Sequence, residues 1–158
     1  VRGKEARAYS ECSMGTSLAL GCGGRSYVGA LHFCSPYTVT RQGCLEQLER
    51  FIHTEDYTGI THGILLTEEE QKRRYVIRHL LIRPGLWLSG YEEQFKSSPA
   101  DDSPILNVWM EQGYVSRESG YLTLTEAGLS LSDWLGPQLI SEEVRRKMKE
   151  WERTHGWT

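Results

Sequence analysis

The ten residues Leu18-Ala19-Leu20-Gly21-Cys22-Gly23-Gly24-Arg25-Ser26-Tyr27 concentrate the chemistry of this chain. An apolar run that reads as a buried strand ends in three glycines. Glycine lacks a Cβ, so Gly21, Gly23 and Gly24 can turn sharply or bring backbone close to a ligand. Arg25 follows, and a guanidinium can clamp a carboxylate through paired, charge-assisted hydrogen bonds. Ser26, Tyr27 and His32 add hydrogen-bonding groups, as does Tyr37. Polar side chains just past a buried strand stand where α/β enzymes place their ligand groups. Each feature also has a plain structural alternative: a tight turn, a structural salt bridge at Arg25, and a hydrogen-bonded framework histidine at His32.

Three common loops are excluded. Ser26 occupies the third glycine position of a dinucleotide fingerprint. The Gly-Lys-Ser/Thr ending of a phosphate-binding P-loop is missing. Gly24-Arg25-Ser26-Tyr27-Val28 lacks the second glycine of a nucleophile elbow. The cysteines Cys12, Cys22, Cys34 and Cys44 stand 10, 12 and 10 residues apart. Structural zinc sites usually use closely spaced cysteine pairs, so His32 and Cys34 with the other thiols make a weak set and no metal site is expected. Cys22, between glycines, is either a reactive thiol or an ordinary free one. Lys72-Arg73-Arg74 with Arg78 could touch phosphate, or could form a solvated helix face offset by Glu68, Glu69 and Glu70. A base-reading helix would normally carry Arg, Lys, Asn or Gln. The candidate helix over 105–112 offers only Asn107 and Gln112.

The elements that must hold these groups differ between the two ends. Residues 1–40 read as a strand, the glycine loop and then extended chain, with Pro36 opposing a helix. Spacing predicts an amphipathic helix over 44–52, with Leu45, Leu48, Phe51 and Ile52 on one face. Thr67 and Glu70 form a capping box. The helix they open has Tyr75, Val76, Ile77, Leu80 and Leu81 on its buried side, and Pro84-Gly85 ends it. A second helix is predicted over 89–95, a linker over 97–104, and a third helix over 105–112 stopped by Gly113. Residues 114–116 and 121–124 bracket a hairpin turn. Thr125 caps a helical region with Leu129, Leu131, Trp134 and Leu135. Ser141 caps a charged, partly exposed helical tail with Val144, Met148 and Trp151.

The whole chain of 158 residues carries a net charge of -3, with 39% hydrophobic and 25% charged residues. Those values suit an ordinary globular domain. The negative balance argues against a large nucleic-acid footprint. No run of about 18 apolar residues exists, so no membrane span is expected. Four cysteines are too few for a disulfide scaffold, and reduced thiols in the cytoplasm are the default expectation. The start, Val1-Arg2-Gly3-Lys4, has no apolar run of the kind a secretory leader needs.

Two separated stretches resemble one family. Leu20-Gly21-Cys22-Gly23-Gly24-Arg25-Ser26-Tyr27 is similar to the Gly-rich loop late in the radical-SAM barrel of oxygen-independent coproporphyrinogen III oxidases and their haem-chaperone relatives. Leu66-Thr67-Glu68-Glu69-Glu70 with Arg73-Arg74-Tyr75-Val76-Ile77 resembles the opening helix of that family's C-terminal domain. Gly113-Tyr114-Val115 and the stretch from Tyr121 to Gly128 resemble its wing and final helix. With Leu31-His32-Phe33, the closest likeness is to an uncharacterised subgroup. The resemblance covers roughly residues 15 to 136. It implies an α+β fold: a mainly helical, winged-helix-like module preceded by an edge segment of a radical-SAM α/β barrel. The implied division is 1–62 for the barrel edge, Gly loop and connecting helix, 63–140 for the winged-helix-like domain, and 141–158 for the tail.

The resemblance further implies S-adenosyl-L-methionine and a 4Fe–4S cluster in the complete protein. Gly21, Cys22, Gly23 and Gly24 would lie against the cofactor. Arg25, Ser26, Tyr27 and His32 would face a porphyrinogen-like or other small substrate. The family's cluster-binding Cys-x3-Cys-x2-Cys loop is missing, so this chain is expected to hold no cluster and to be inactive alone. Its expected partner is the remainder of the barrel, in the same chain or another. The alternative is a non-catalytic winged-helix module for protein interaction or nucleic-acid binding.

Overall fold

The computed structural model describes residues 15–35, 38–60 and 62–155. Cys12, Pro36 and Tyr37 lie outside them. Among the described residues the fold is mixed α+β, with eight helices and two three-stranded antiparallel sheets. None of these helices is long and apolar enough to cross a membrane.

The first sheet contains β1 (Arg25–Val28), β2 (Leu31–Cys34) and β3 (His62–Leu65), in that spatial order. Gly29, at φ 57°, lets the chain reverse between β1 and β2. The apolar run before the glycines is neither a strand nor buried: Leu20 is 96% exposed. A bridge from Ser17 to Tyr27 and the Ala19 N–H bond to Ser26 Oγ tie this segment to β1. The strand forms instead over the polar Arg25–Val28, of which only Ser26 is buried, because β2 supplies its hydrogen-bonding partner immediately downstream. Between β2 and β3 runs α1 (Arg41–Ile52), whose Thr40 side chain accepts the Gly43 N–H. Its apolar stripe is mostly uncovered among the described residues: Phe51 meets the Tyr57 ring edge-on, but Leu45, Leu48 and Ile52 are exposed and no residue of the helix is buried.

The second part has one core. The N-cap half of the capping box appears: Thr67 accepts the Glu70 N–H and opens α2 (Glu68–Leu80). Tyr75, Val76 and Leu80 are buried and Ile77 packs against them, whereas Leu81 falls outside the helix and is exposed. Two residues, β4 (Leu86–Trp87), precede α3 (Leu88–Phe95). The linker read over 97–104 contains a one-turn helix, α4 (Pro99–Asp102), with Ser98 as its cap. Then follow α5 (Ile105–Glu111), and the hairpin of β5 (Val115–Glu118) and β6 (Tyr121–Leu124).

β4 pairs with β6, giving the order β4-β6-β5. Thr125 caps α6 (Glu126–Ser130), and the chain breaks at Leu131 before α7 (Ser132–Gln138). Leu86, Tyr91, Leu106, Trp109, Val115, Leu122, Leu135 and Leu139 complete the core. The tail is α8 (Glu142–His155), with its Val144 N–H accepted by Ser141 and Met148 left exposed.

Candidate functional site

Side chains alternate across a strand, so the first sheet divides the sequence-derived site residues between its two faces. Arg25 and Tyr27 of β1 share a face with His32 of β2, which lies directly across from Tyr27. Ser26 points to the other face, where Phe33 is its cross-strand partner. The chain therefore brings Arg25, Tyr27 and His32 together and sets Ser26 and the glycines apart from them.

The glycine turn is built from backbone geometry. Gly21 and Gly23 hold φ of 96° and 78°, a region that side chains strain. Gly24 N–H donates to the Gly21 carbonyl at 3.3 Å, and Gly23 N–H donates to Ser35 Oγ at 2.6 Å. Ser26 is buried and its Oγ accepts the Ala19 N–H at 3.1 Å, so its hydroxyl fixes the segment entering the turn. Cys22 is exposed in the turn. Ala19, Gly21, Gly24, Ser26, Phe33 and Ser35 form one wall of a cleft of about 250 Å³. The opposite wall comes from residues 54–60, which sequence reasoning did not single out. There Asp56 accepts both the N–H and the hydroxyl of Thr58, at 2.8 and 2.6 Å, and these bonds hold its carboxyl below the ordinary range.

The opposite face is cationic and aromatic. Tyr27 and His32 stack with ring centroids 4.1 Å apart and planes 14° from parallel. Arg74 of α2 places its guanidinium carbon 3.9 Å from the Tyr27 ring centre, and Arg78, one turn later, 5.9 Å. The His32 ring stays neutral more readily than an ordinary imidazole. Burial is the main cause, and the charges of Arg74, Arg25 and Arg78 add to it. His32 Nε2 is buried and has no hydrogen-bond partner among the described residues. Arg74 and Arg78 were legible only as a basic stretch. Their spacing of four puts them on one side of a helix, and that was the available signal. What lay beneath that side could not be read from α2 alone.

The cofactors the resemblance implies fit this chain unequally. No group of three His, Cys, Asp or Glu among the described residues could hold a metal ion. The described residues therefore supply no ligand set for a 4Fe–4S cluster, which needs several thiolates brought together. At the glycine turn, a Cβ at Gly21 or Gly23 would meet open space within 4 Å. Comparison with known proteins gives no family, since no family model, curated protein or solved structure matches this chain significantly.

Proposed function

We propose that this chain is the C-terminal portion of a radical-SAM, coproporphyrinogen-oxidase-like protein. In this reading residues 15–65 complete the barrel's edge. The module from α2 onward is winged-helix-like and covers the barrel mouth. One observation carries the reading: α2, the helix that opens the module, lays Arg74 and Arg78 over the strand that leaves the Gly turn. The strand that follows the Gly loop and the downstream module, recognised from separate stretches of sequence, are thus in contact. The order helix, short strand, three further helices and hairpin, closed by the β4-β6-β5 sheet, supports the winged-helix description.

Within that reading the chain's own residues have definite tasks. Gly21, Gly23 and Gly24 let backbone approach the adenosyl group, which supplies the radical chemistry when bound. Arg25, Tyr27 and His32 face the substrate side. The covering module keeps water from a reactive intermediate. The alternative is a non-catalytic module that binds protein or nucleic acid. The decisive experiment is anaerobic assembly of this chain with the polypeptide that carries the Cys-x3-Cys-x2-Cys loop. S-adenosylmethionine binding that strengthens on adding this chain supports the proposal. No association, together with salt-sensitive duplex binding by the chain alone, favours the alternative.

A further inference from the structure

We infer that the cleft between the glycine turn and residues 54–60 is a binding site for a small organic ammonium ion, with Asp56 as its anionic partner. The cleft lies on the Ser26 and Phe33 side of the first sheet, across from the face that carries Tyr27 and His32. Asp56 is the only charged side chain among the described residues that line it. Thr58 gives both its N–H and its hydroxyl to Asp56 Oδ1, at 2.8 and 2.6 Å, so the carboxylate is fixed in place and held ionised. Oδ2 takes neither bond and is left for a ligand. A carboxylate oxygen accepts strong, charge-assisted hydrogen bonds from a cationic N–H.

The ligand's charge and size follow from the walls. Ala19, Phe33 and Ile60 supply apolar surface for a hydrocarbon stem, and Tyr57 adds a second ring. Aromatic faces attract cations. Tyr57 is itself anchored: its hydroxyl donates to the Phe51 carbonyl at 2.7 Å and its ring meets the Phe51 ring edge-on at 5.2 Å. Carboxylate and ring are thus both set before a ligand arrives, which lowers the ordering cost of binding. An anion would meet Asp56 with no lining cation to offset the repulsion. A neutral ligand would forgo the charge attraction. At about 250 Å³ the cleft is smaller than the roughly 300–1,000 Å³ of drug-sized sites, so the ligand is a short chain or a single ring.

This inference goes beyond the proposed function and does not depend on it, so it is tested on the intact chain alone. Butylammonium, butanol and butyrate are titrated in turn into isotope-labelled chain at neutral pH and low salt, and backbone amide resonances are followed by NMR. Butylammonium is expected to shift the amides of Gly24, Phe33 and Tyr57 saturably, with millimolar affinity. Butanol keeps the stem but not the charge and should bind about fivefold more weakly or worse, and butyrate should not bind. Asp56→Asn keeps an oxygen for Thr58 and removes only the charge. It should lower butylammonium affinity about tenfold, with circular dichroism confirming the fold. Glu152→Gln, which removes an exposed carboxylate on α8, should leave that affinity unchanged. Butylammonium shifts that miss the cleft or fail to saturate overturn the inference. So does equal affinity of the native chain and Asp56→Asn, an equal loss in Glu152→Gln, or butanol binding as tightly as butylammonium.

Discussion

At the scale of single residues, two histidines set how this chain responds to mild acid. His32 and His79 both have pKa values below the ordinary 6.5, each mainly because burial disfavours the charged ring. Near Arg74 and Arg78 a second cost is added for both. In the unfolded chain both rings protonate as pH falls through about 6.5. In the folded chain they resist, so the unfolded state binds more protons in that window and stability falls. Above pH 6.5 both states are neutral and the effect vanishes. Urea melts at pH 7.5 and 5.5 should show lower stability at 5.5, and His32→Gln with His79→Gln should shrink that difference. An undiminished difference would remove both rings as its source. The glycines give a second residue-scale test. A Cβ at Gly24 would stand 2.7 Å from Ala19 Cβ, while one at Gly23 meets open space but a φ of 78°. Gly24→Ala should therefore disturb the turn by contact. Gly23→Ala should cost about 1–2 kcal/mol of backbone strain and weaken adenosyl binding in the assembled protein. Proteolysis at the turn and cofactor titration separate the two effects. The glycines and Arg25-Ser26-Tyr27 stood out as candidates because of their types and order. The division of Arg25 and Tyr27 from Ser26 needed the strand to be known, since alternation assigns faces only inside a strand.

At the scale of elements, the module from α2 to α7 is held by caps and by one carboxylate. Asp102, at the end of α4, accepts from Lys72 of α2 at 3.1 Å, from Tyr91 of α3 at 2.9 Å, and from the Ser97 hydroxyl. Burial alone would raise its pKa, but the bonds from Ser97, Lys72 and Tyr91 outweigh it and the net shift is downward. Its stabilising contribution is therefore complete above the ordinary value of 3.8 and is lost as pH falls through the folded value. This window lies below that of the histidines, so an acid titration should show two separate declines. Asp102→Ala should cost roughly 2–3 kcal/mol by leaving the Tyr91 hydroxyl without its acceptor and Lys72 with Glu68 as its remaining acidic partner. Chemical denaturation measures it, and a loss below about 0.5 kcal/mol would show that the three elements are held by packing alone. Thr125 acts similarly on the hairpin: it accepts the Gly128 N–H at 3.1 Å and donates to the Gly113 carbonyl at 2.7 Å. Thr125→Ala should cost about 1–2 kcal/mol. The helices over 68–80 and 105–111, the hairpin and the Thr67, Thr125 and Ser141 caps were legible because they depend on local signals. β4 was not, because two residues carry no periodicity and Leu86 pairs with Leu122 far along the chain. The one-turn α4 was hidden for the same reason, its Ser-Pro start being equally a loop signal.

At the scale of the whole molecule, stability is unevenly distributed. The buried hydrophobic core runs from Tyr75 to Leu139, entirely within the module. Residues 15–65 have the first sheet's hydrogen bonds, but Leu18, Leu20, Leu45, Leu48, Ile52 and Leu65 are exposed. Their ties to the module include the Arg74–Tyr27 contact, the His62–Trp151 ring contact at 6.2 Å and the Leu66 N–H bond to the Ala30 carbonyl. Apolar burial is worth about 25 cal/mol per Å², so a segment that leaves its apolar face in water forgoes the main stabilising term. Hydrogen exchange should therefore show the slowest amides in α2, α5, β5 and β6, and faster exchange through α1 and β1 to β3. Equal protection of both regions would contradict this division. The same measurement bears on the proposed assembly. If the exposed stripe of α1 and the Leu18–Leu20 segment meet the rest of a barrel, their burial should slow exchange in α1 and β1 on binding. The module, already closed around its own core, should change little. Protection that rises uniformly would indicate general stabilisation by mass action. Protection confined to α1 and β1 would mark the surface that meets the barrel polypeptide of the proposed assembly.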